Sequence, residues 1–314
     1  MKLYRHIVVP LDGSELAERA LAPAYRIARA MATLSAAESD DNAPVKLVLL
    51  RAASPTSLVA ADPFLYDELA RMALDEAQAY LNATAAGLAP SAVVVESKAV
   101  GGPAAEAVVH YAEDNDADLI VLSSHGRTGG SRWVYGSVAE KVLHHAPCAV
   151  TIIRAQATLD MFQNRSILVP LDGSELAERA LEPALSLAKG VGSDVILLRV
   201  VPSPEPVPEG VAIPGAPSAG QRQMVEQKER EEAEAYLQRV YSGLPTAHLF
   251  FDVAVTTGYV ADAIVDYATA RRVDLIVMSS HGRSGVSRWL YGSVAEKVLR
   301  GADCATMIIR APSE

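Results

Sequence analysis

Apolar positions along the chain follow two alternating rhythms. Short unbroken runs such as "HIVVPL" (His6–Leu11) and "VKLVLLRA" (Val45–Ala52) have the length and β-branched content of buried strands, and "DGS" stops the first of them. Between them, "ELAERALAPAYRIARAMA" places apolar residues three and four apart and reads as one amphipathic helix. The alternation continues with the helical "DELARMALDEAQAYLNATAA" and the strand "AVVVESKAV" (Ala92–Val100), which Gly101-Gly102-Pro103 ends. The helical "AAEAVVHYAEDN", the strand "ADLIVLSS" (Ala117–Ser124), the helical "SVAEKVLHHA" and the strand "CAVTIIR" (Cys148–Arg154) follow. Five strands separated by helices predict an α/β fold. Parallel strands need crossovers, so the sheet is parallel and doubly wound, with helices on both faces.

The pattern then runs a second time, with "SILVPL", "DVILLRV", "HLFFDVAV", "VDLIVMSS" and "CATMIIR" as strands. Two segments return almost unchanged. "VPLDGSELAERAL" starts at Val9 and again at Val169, and "SSHGRTGGSRWVYGSVAEKVL" (Ser123–Leu143) returns as "SSHGRSGVSRWLYGSVAEKVL" (Ser279–Leu299). A repeat of about 160 residues means two copies of one domain. The expected division is residues 1–154, a linker "AQATLDMFQNR" (Ala155–Arg165), and residues 166–314. The copies differ where loops are expected. "TLSAAESDDNAP" lengthens one connection in the first copy, and the Pro- and Gly-rich "VPSPEPVPEGVAIPGAPSAG" lengthens another in the second. The latter reads as a surface loop, with a lid over a ligand as the weaker alternative.

Composition narrows the function. Half of the 314 residues are hydrophobic and 21% are charged, which is a globular composition. With 28 Lys and Arg against 38 Asp and Glu the net charge is −10, which argues against nucleic acid or an anionic membrane as a partner. A small anionic ligand needs only a local donor site and stays open. The two cysteines, Cys148 and Cys304, occupy matching places and read as small buried side chains rather than as a disulfide or metal ligands. The N-terminal apolar run is interrupted by Asp12, too early for a signal peptide, and no stretch has the length of a membrane span. A reducing cytoplasm is the expected location.

Both repeated segments fall at strand ends, where open parallel sheets bind ligands if the winding reverses there. Asp12 follows the first strand and the Ser123–Gly136 loop the fourth, and Asp172 and Ser279–Gly292 repeat the arrangement. The loop suits phosphate. Gly126 and Gly136 allow backbone N–H groups close to an anion, and Gly136 leads into a helix whose first N–H groups and dipole favour negative charge. Arg127 and Arg132, with Arg283 in the second copy, can add charge at the rim. Ser137 with Glu140, and Ser293 with Glu296, have capping-box spacing, which by itself says nothing about a ligand. Asp12 either caps the helix after it, with Glu15 three residues on, or offers its carboxylate to a ribose hydroxyl, the preferred role. His125 and His281 read as hydrogen-bonded loop residues, and Trp133 and Trp289 as packing or interface residues. No P-loop, H-E-x-x-H, G-x-S-x-G or C-x-x-C motif occurs, so catalysis has no evident machinery.

At these residues the chain resembles a tandem universal stress protein. Nucleotide-binding members of that family carry G-x2-G-x9-G-[ST] after the fourth strand. Gly126 and Gly136-Ser137, and Gly282 and Gly292-Ser293, match its last two elements, while Ser123 and Ser279 stand in place of the first glycine. The resemblance implies strand order 3-2-1-4-5 in each copy. It also implies an adenosine site lined by Pro10, Asp12 and Ala52, bordered by Leu122 and Ser123, with Gly126, Gly136, Ser137 and Val138 on the phosphates. In the second copy the corresponding residues are Pro170, Asp172, Val200, Met278, Ser279, Gly282, Gly292, Ser293 and Val294. The implied ligand is ATP, alone or with magnesium. The implied assembly pairs the fifth strands, which here can make a pseudo-dimer within one molecule and leaves a further homodimer open. A slow ATPase or nucleotide-dependent transferase, and a nucleotide-free interaction scaffold, are the alternatives.

Overall fold

The computed structural model describes residues 4–38, 43–54, 63–124, 135–154, 165–203, 219–245, 249–280 and 292–310. The first copy contributes β1 (His6–Pro10), β2 (Val45–Ala53), β3 (Val93–Gly101), β4 (Leu119–Ser123) and β5 (Ala149–Ile153). The second contributes β6 (Ser166–Pro170), β7 (Asp194–Pro202), β8 (Phe251–Gly258), β9 (Leu275–Ser279) and β10 (Ala305–Ile309). Among the described residues these strands form one ten-stranded sheet, in the order β3-β2-β1-β4-β5-β10-β9-β6-β7-β8. Each half therefore has the 3-2-1-4-5 order. All pairings within a half are parallel, and the junction β5–β10 is antiparallel, with Met307 opposite Thr151.

Strand alternation assigns each residue to one of two cores. Ile7 and Val9 of β1 face a layer made by α1 (Glu15–Glu18), α2 (Leu21–Glu38), α3 (Pro63–Ala86), α6 (Glu175–Glu178), α7 (Leu181–Val191) and α8 (Ala219–Ser242). Val8 points the other way, toward α4 (Ala104–Asp114), α5 (Ser137–His145), α9 (Val260–Ala270) and α10 (Ser293–Gly301). The central strands β4, β5, β9 and β10 are buried throughout, which is why they read as continuous apolar runs.

The seam between the copies is packed and hydrogen-bonded. α2 lies against α7, and Gly190 makes the approach possible, since a Cβ there would meet Ala30 Cβ at 3.0 Å and Met31 Cε at 3.0 Å. The Tyr4 hydroxyl reaches Met307 Sδ at 3.7 Å. Arg154 Nε donates to the Ala302 carbonyl (2.8 Å), and Arg310 donates to the carbonyls of His144 (3.0 Å) and Ala146. The Tyr135 hydroxyl donates to the Leu299 carbonyl. Cations and donors thus meet the unpaired carbonyls at the C-terminal ends of α5 and α10, where the helix dipole favours them.

Several elements depart from the sequence reading. The single helix expected after "DGS" is two, because Pro23 lacks an N–H and its ring would clash with the carbonyl four residues back; the chain stops α1 at Glu18 and restarts at Leu21. Pro183 does the same in α7. The third strand of the second copy lies at Phe251–Gly258 rather than from His248, since its ladder with β7 runs from Val195–Phe251 to Pro202–Gly258. α2 extends to Glu38, so half of "TLSAAESDDNAP" is helical. Residues 155–164 of the expected linker and 204–218 of the second insertion lie outside the described residues.

Candidate functional site

The strand order reverses between β1 and β4, and between β6 and β9, so the residues leaving these strands share a crevice. On one side is the Asp turn. Asp12 Oδ1 accepts from Ser14 N (2.9 Å) and Ser14 Oγ (2.6 Å), and Ser14 Oγ accepts in turn from Ala17 N (3.2 Å). Asp172 and Ser174 repeat the arrangement at 2.9, 2.6 and 3.1 Å. The intervening Gly13 and Gly173 have φ of 84° and 85°, a left-handed conformation that glycine adopts without strain. The helix cap is therefore Ser14, not Asp12. Asp12 is one step removed, an Asx turn holding the capping serine.

On the other side is the start of α5 or α10. The N-cap is Gly136 in one copy and Gly292 in the other, and neither supplies a side-chain acceptor. The expected capping box of Ser137 with Glu140, and of Ser293 with Glu296, is therefore not formed, because each serine is already the first helical residue. Gly136 N is held by the Ser124 carbonyl and Gly292 N by that of Ser280, both at 2.9 Å. The first-turn amides that follow are left without a side-chain cap, an arrangement that accepts an anion.

In the second copy these sides enclose a cavity of about 280 Å³. Pro170, Asp172, Val200, Met278, Ser279, Gly292, Ser293 and Val294, all singled out from the sequence, line it together with Leu198, Arg199, Pro202, Val260 and Ile264. The walls are apolar and the polar groups converge at the Asp turn and the helix start, as in small-molecule sites. Among the described residues the Ser279 hydroxyl, 6% exposed as a residue, has no hydrogen-bond partner, and neither has that of Ser123, at 7%, in the first copy. A buried hydroxyl is costly to leave unpaired, so each is a group that a bound molecule could satisfy. In the first copy Pro10, Asp12, Ala52, Leu122, Ser123, Gly136, Ser137 and Val138 occupy the same strand ends and helix start. Gly126, Arg127, Arg132, His125 and Trp133, with Gly282, Arg283, His281 and Trp289, lie outside the described residues.

The universal stress protein family model matches residues 3–154 and again residues 163–310. The chain belongs to the universal stress protein family. A universal stress protein of Methanocaldococcus jannaschii is 29% identical over 150 residues, covering 48% of this chain and 84% of the relative. One from Mycobacterium tuberculosis is 28% identical over 197 residues, 62% of this chain, and the match spans 63% of that relative's length. Among solved structures, the universal stress protein of Archaeoglobus fulgidus superposes with a TM-score of 0.63 over 98% of both chains at 19% identity, a likeness of fold. Among the described residues of this universal stress protein no helix is long and apolar enough to cross a membrane, and no cluster of His, Cys, Asp and Glu is arranged to hold a metal.

The sequence reading of this universal stress protein missed one constellation. Arg51 and Arg199 occupy the same place near the ends of β2 and β7, and each guanidinium lies over a tyrosine ring, Tyr80 at 4.9 Å and Tyr236 at 5.8 Å. Each tyrosine donates to a glutamate at the end of the short helix, Tyr80 to Glu18 (2.7 Å) and Tyr236 to Glu178 (2.9 Å). Burial, and then the hydrogen bond to Glu18, push the Tyr80 hydroxyl up to about 12; burial and Glu178 raise that of Tyr236 further. Both therefore stay protonated donors at neutral pH. The available signal was an arginine set within the apolar run near the end of the second strand, "LLRA" and "LLRV", in both copies.

Proposed function

We propose that this universal stress protein binds an adenine nucleotide, ATP, in each of its two domains, and that occupancy governs its shape or contacts in a cytoplasmic stress response. The domains proposed are residues 1–154 and 166–314, joined by residues 155–165. The supporting observation is the second-domain cavity, which is lined by Asp172, by the start of α10, left without a side-chain cap, and by Ser279, whose hydroxyl has no partner among the described residues. A cavity of about 280 Å³ takes a nucleoside, which leaves the phosphates at the α10 start among N–H groups that favour anions. Ser137 and Val138, and Ser293 and Val294, would hold those phosphates, joined by Gly126, Arg127, Gly282 and Arg283; any magnesium would travel on the phosphates. Asp12 and Asp172 would take ribose hydroxyls.

Native purification followed by denaturation and mass spectrometry tests the reading, with two adenine nucleotides per chain expected. Calorimetric titration of nucleotide-free protein with ATP is the second arm. No released nucleotide together with no heat of ATP binding would sink the proposal and leave the interaction scaffold.

A further inference from the structure

Arg199 is placed where it controls the Asp172 turn. β7 is apolar from Val195 to Leu198 and again at Val200 and Val201, so a cation between them requires a use. Arg199 Nη1 donates to the Leu171 carbonyl at 3.1 Å. Leu171 is the residue before Asp172, and its own N–H is held by the Leu198 carbonyl at 2.8 Å. The other face of the arrangement runs through Tyr236, under the guanidinium, to Glu178 at the far end of the single-turn helix that the Asp172–Ser174 turn begins. Leu171 on one side and Glu178 on the other are thus tied to one Arg–Tyr pair, and the Asp172 turn lies between them. Arg199 also lines the cavity.

We infer that Arg199 is a positioning residue of the second site, fixing the Asp172 turn through the Leu171 carbonyl. The inference rests on the nucleotide reading above. A guanidinium can donate in its plane while its face covers a ring; a lysine ammonium keeps the donor and loses the planar contact. The first domain has the Arg–Tyr–Glu relay without the brace. Arg51 leans toward Glu76 on α3 at 4.0 Å and makes no hydrogen bond to the Leu11 carbonyl among the described residues. Arg51 variants are accordingly expected to disturb ligand binding less than Arg199 variants.

The test is calorimetric titration with ATP of the full chain carrying Ser137→Asp, which places a carboxylate where the first site's phosphates would lie. Arg199→Met is expected to weaken the remaining site about tenfold, the scale of one hydrogen bond from a charged group. Arg199→Lys should restore part of that loss. In an Asp172→Asn background, Arg199→Met should change affinity little further, because both act through the same turn. An arginine that served only the fold would give additive losses of affinity. If Arg199→Met does not fold, Tyr236→Phe, which keeps the ring and drops the Glu178 bond, replaces it in the cycle. Affinity within about twofold of the parent in the folded variants, or an additive cycle, overturns the inference while the nucleotide reading stands. No ATP binding by the unaltered chain overturns both.

Discussion

Replacing Tyr135 by Phe removes one hydroxyl from the seam between the domains and leaves the ring over which Arg154 sits, 5.6 Å from its centroid. The lost donor served the Leu299 carbonyl near the end of α10. At neutral pH the variant should be less stable by about 1 kcal/mol, the net value of one such bond, and melt a few degrees lower. The difference must then shrink with alkali. Burial lifts the Tyr135 hydroxyl from 10.0 to about 12, against the opposing pull of Arg154 and Arg300. The folded chain therefore holds this proton more tightly than the unfolded one. The associated stability is complete below pH 10 and drains as the pH rises through 12. At one pH unit above the unfolded value, about 1.4 kcal/mol of it is gone from the parent and none from the variant. The two stabilities should cross near pH 11, about where the alkaline loss equals the neutral gain. Urea denaturation of both proteins from pH 8 to 11.5 reads this directly, and the remaining buried tyrosines cancel in the comparison. A difference that stays constant over that range would refute the reasoning.

Further outcomes follow from other contacts. Gly190→Leu should destabilise by about 1–3 kcal/mol, because Ala30 and Met31 already stand at 3.0 Å from where a Cβ would lie; a denaturation curve unchanged in midpoint would contradict the packing. Ser174→Ala removes the cap of α6 and a partner of Asp172, and should cost about 1 kcal/mol in urea melts while also weakening ATP binding. Arg310→Met leaves the His144 and Ala146 carbonyls without their cation and should lower stability by about 1–2 kcal/mol, an effect that thermal scans would detect. Cys304, raised to about 12 by burial, should resist alkylation in the folded protein at pH 8 and react once urea unfolds it.

The sheet was legible because its central strands are buried on both faces and carry nothing but apolar residues and small hydroxyls; β4 and β9 could be read directly. β8 was less so. It is an edge strand of intermediate burial ending in Thr256, Thr257 and Gly258, so its pattern fades where the ladder with β7 continues. The break between α1 and α2 was signalled by Pro23, but apolar spacing passes through the break and masks it. At the site, the Asp turn and the glycine before α5 were visible because the copies repeat them. Which residue caps was not visible: Asp12, Ser14, Gly136 and Ser137 all fit a cap by type, and only backbone geometry separates them. Arg199 escaped because its partners, Leu171 and Tyr236, come from two segments far from it and from each other in the chain.

The antiparallel β5–β10 junction has a consequence beyond packing. An interface between separate chains dissolves on dilution and mixes partners freely, whereas this one joins two parts of a single polypeptide at an effective concentration set by the connection. Each half always meets the other half and never a copy of itself across this seam. The halves are therefore free to become different: the first can keep Arg51 turned toward α3 while the second braces its Asp turn, with no symmetric pair to dilute the distinction. Covalent continuity turns what would be a statistical mixture of like and unlike pairs into one defined, inherently unequal molecule.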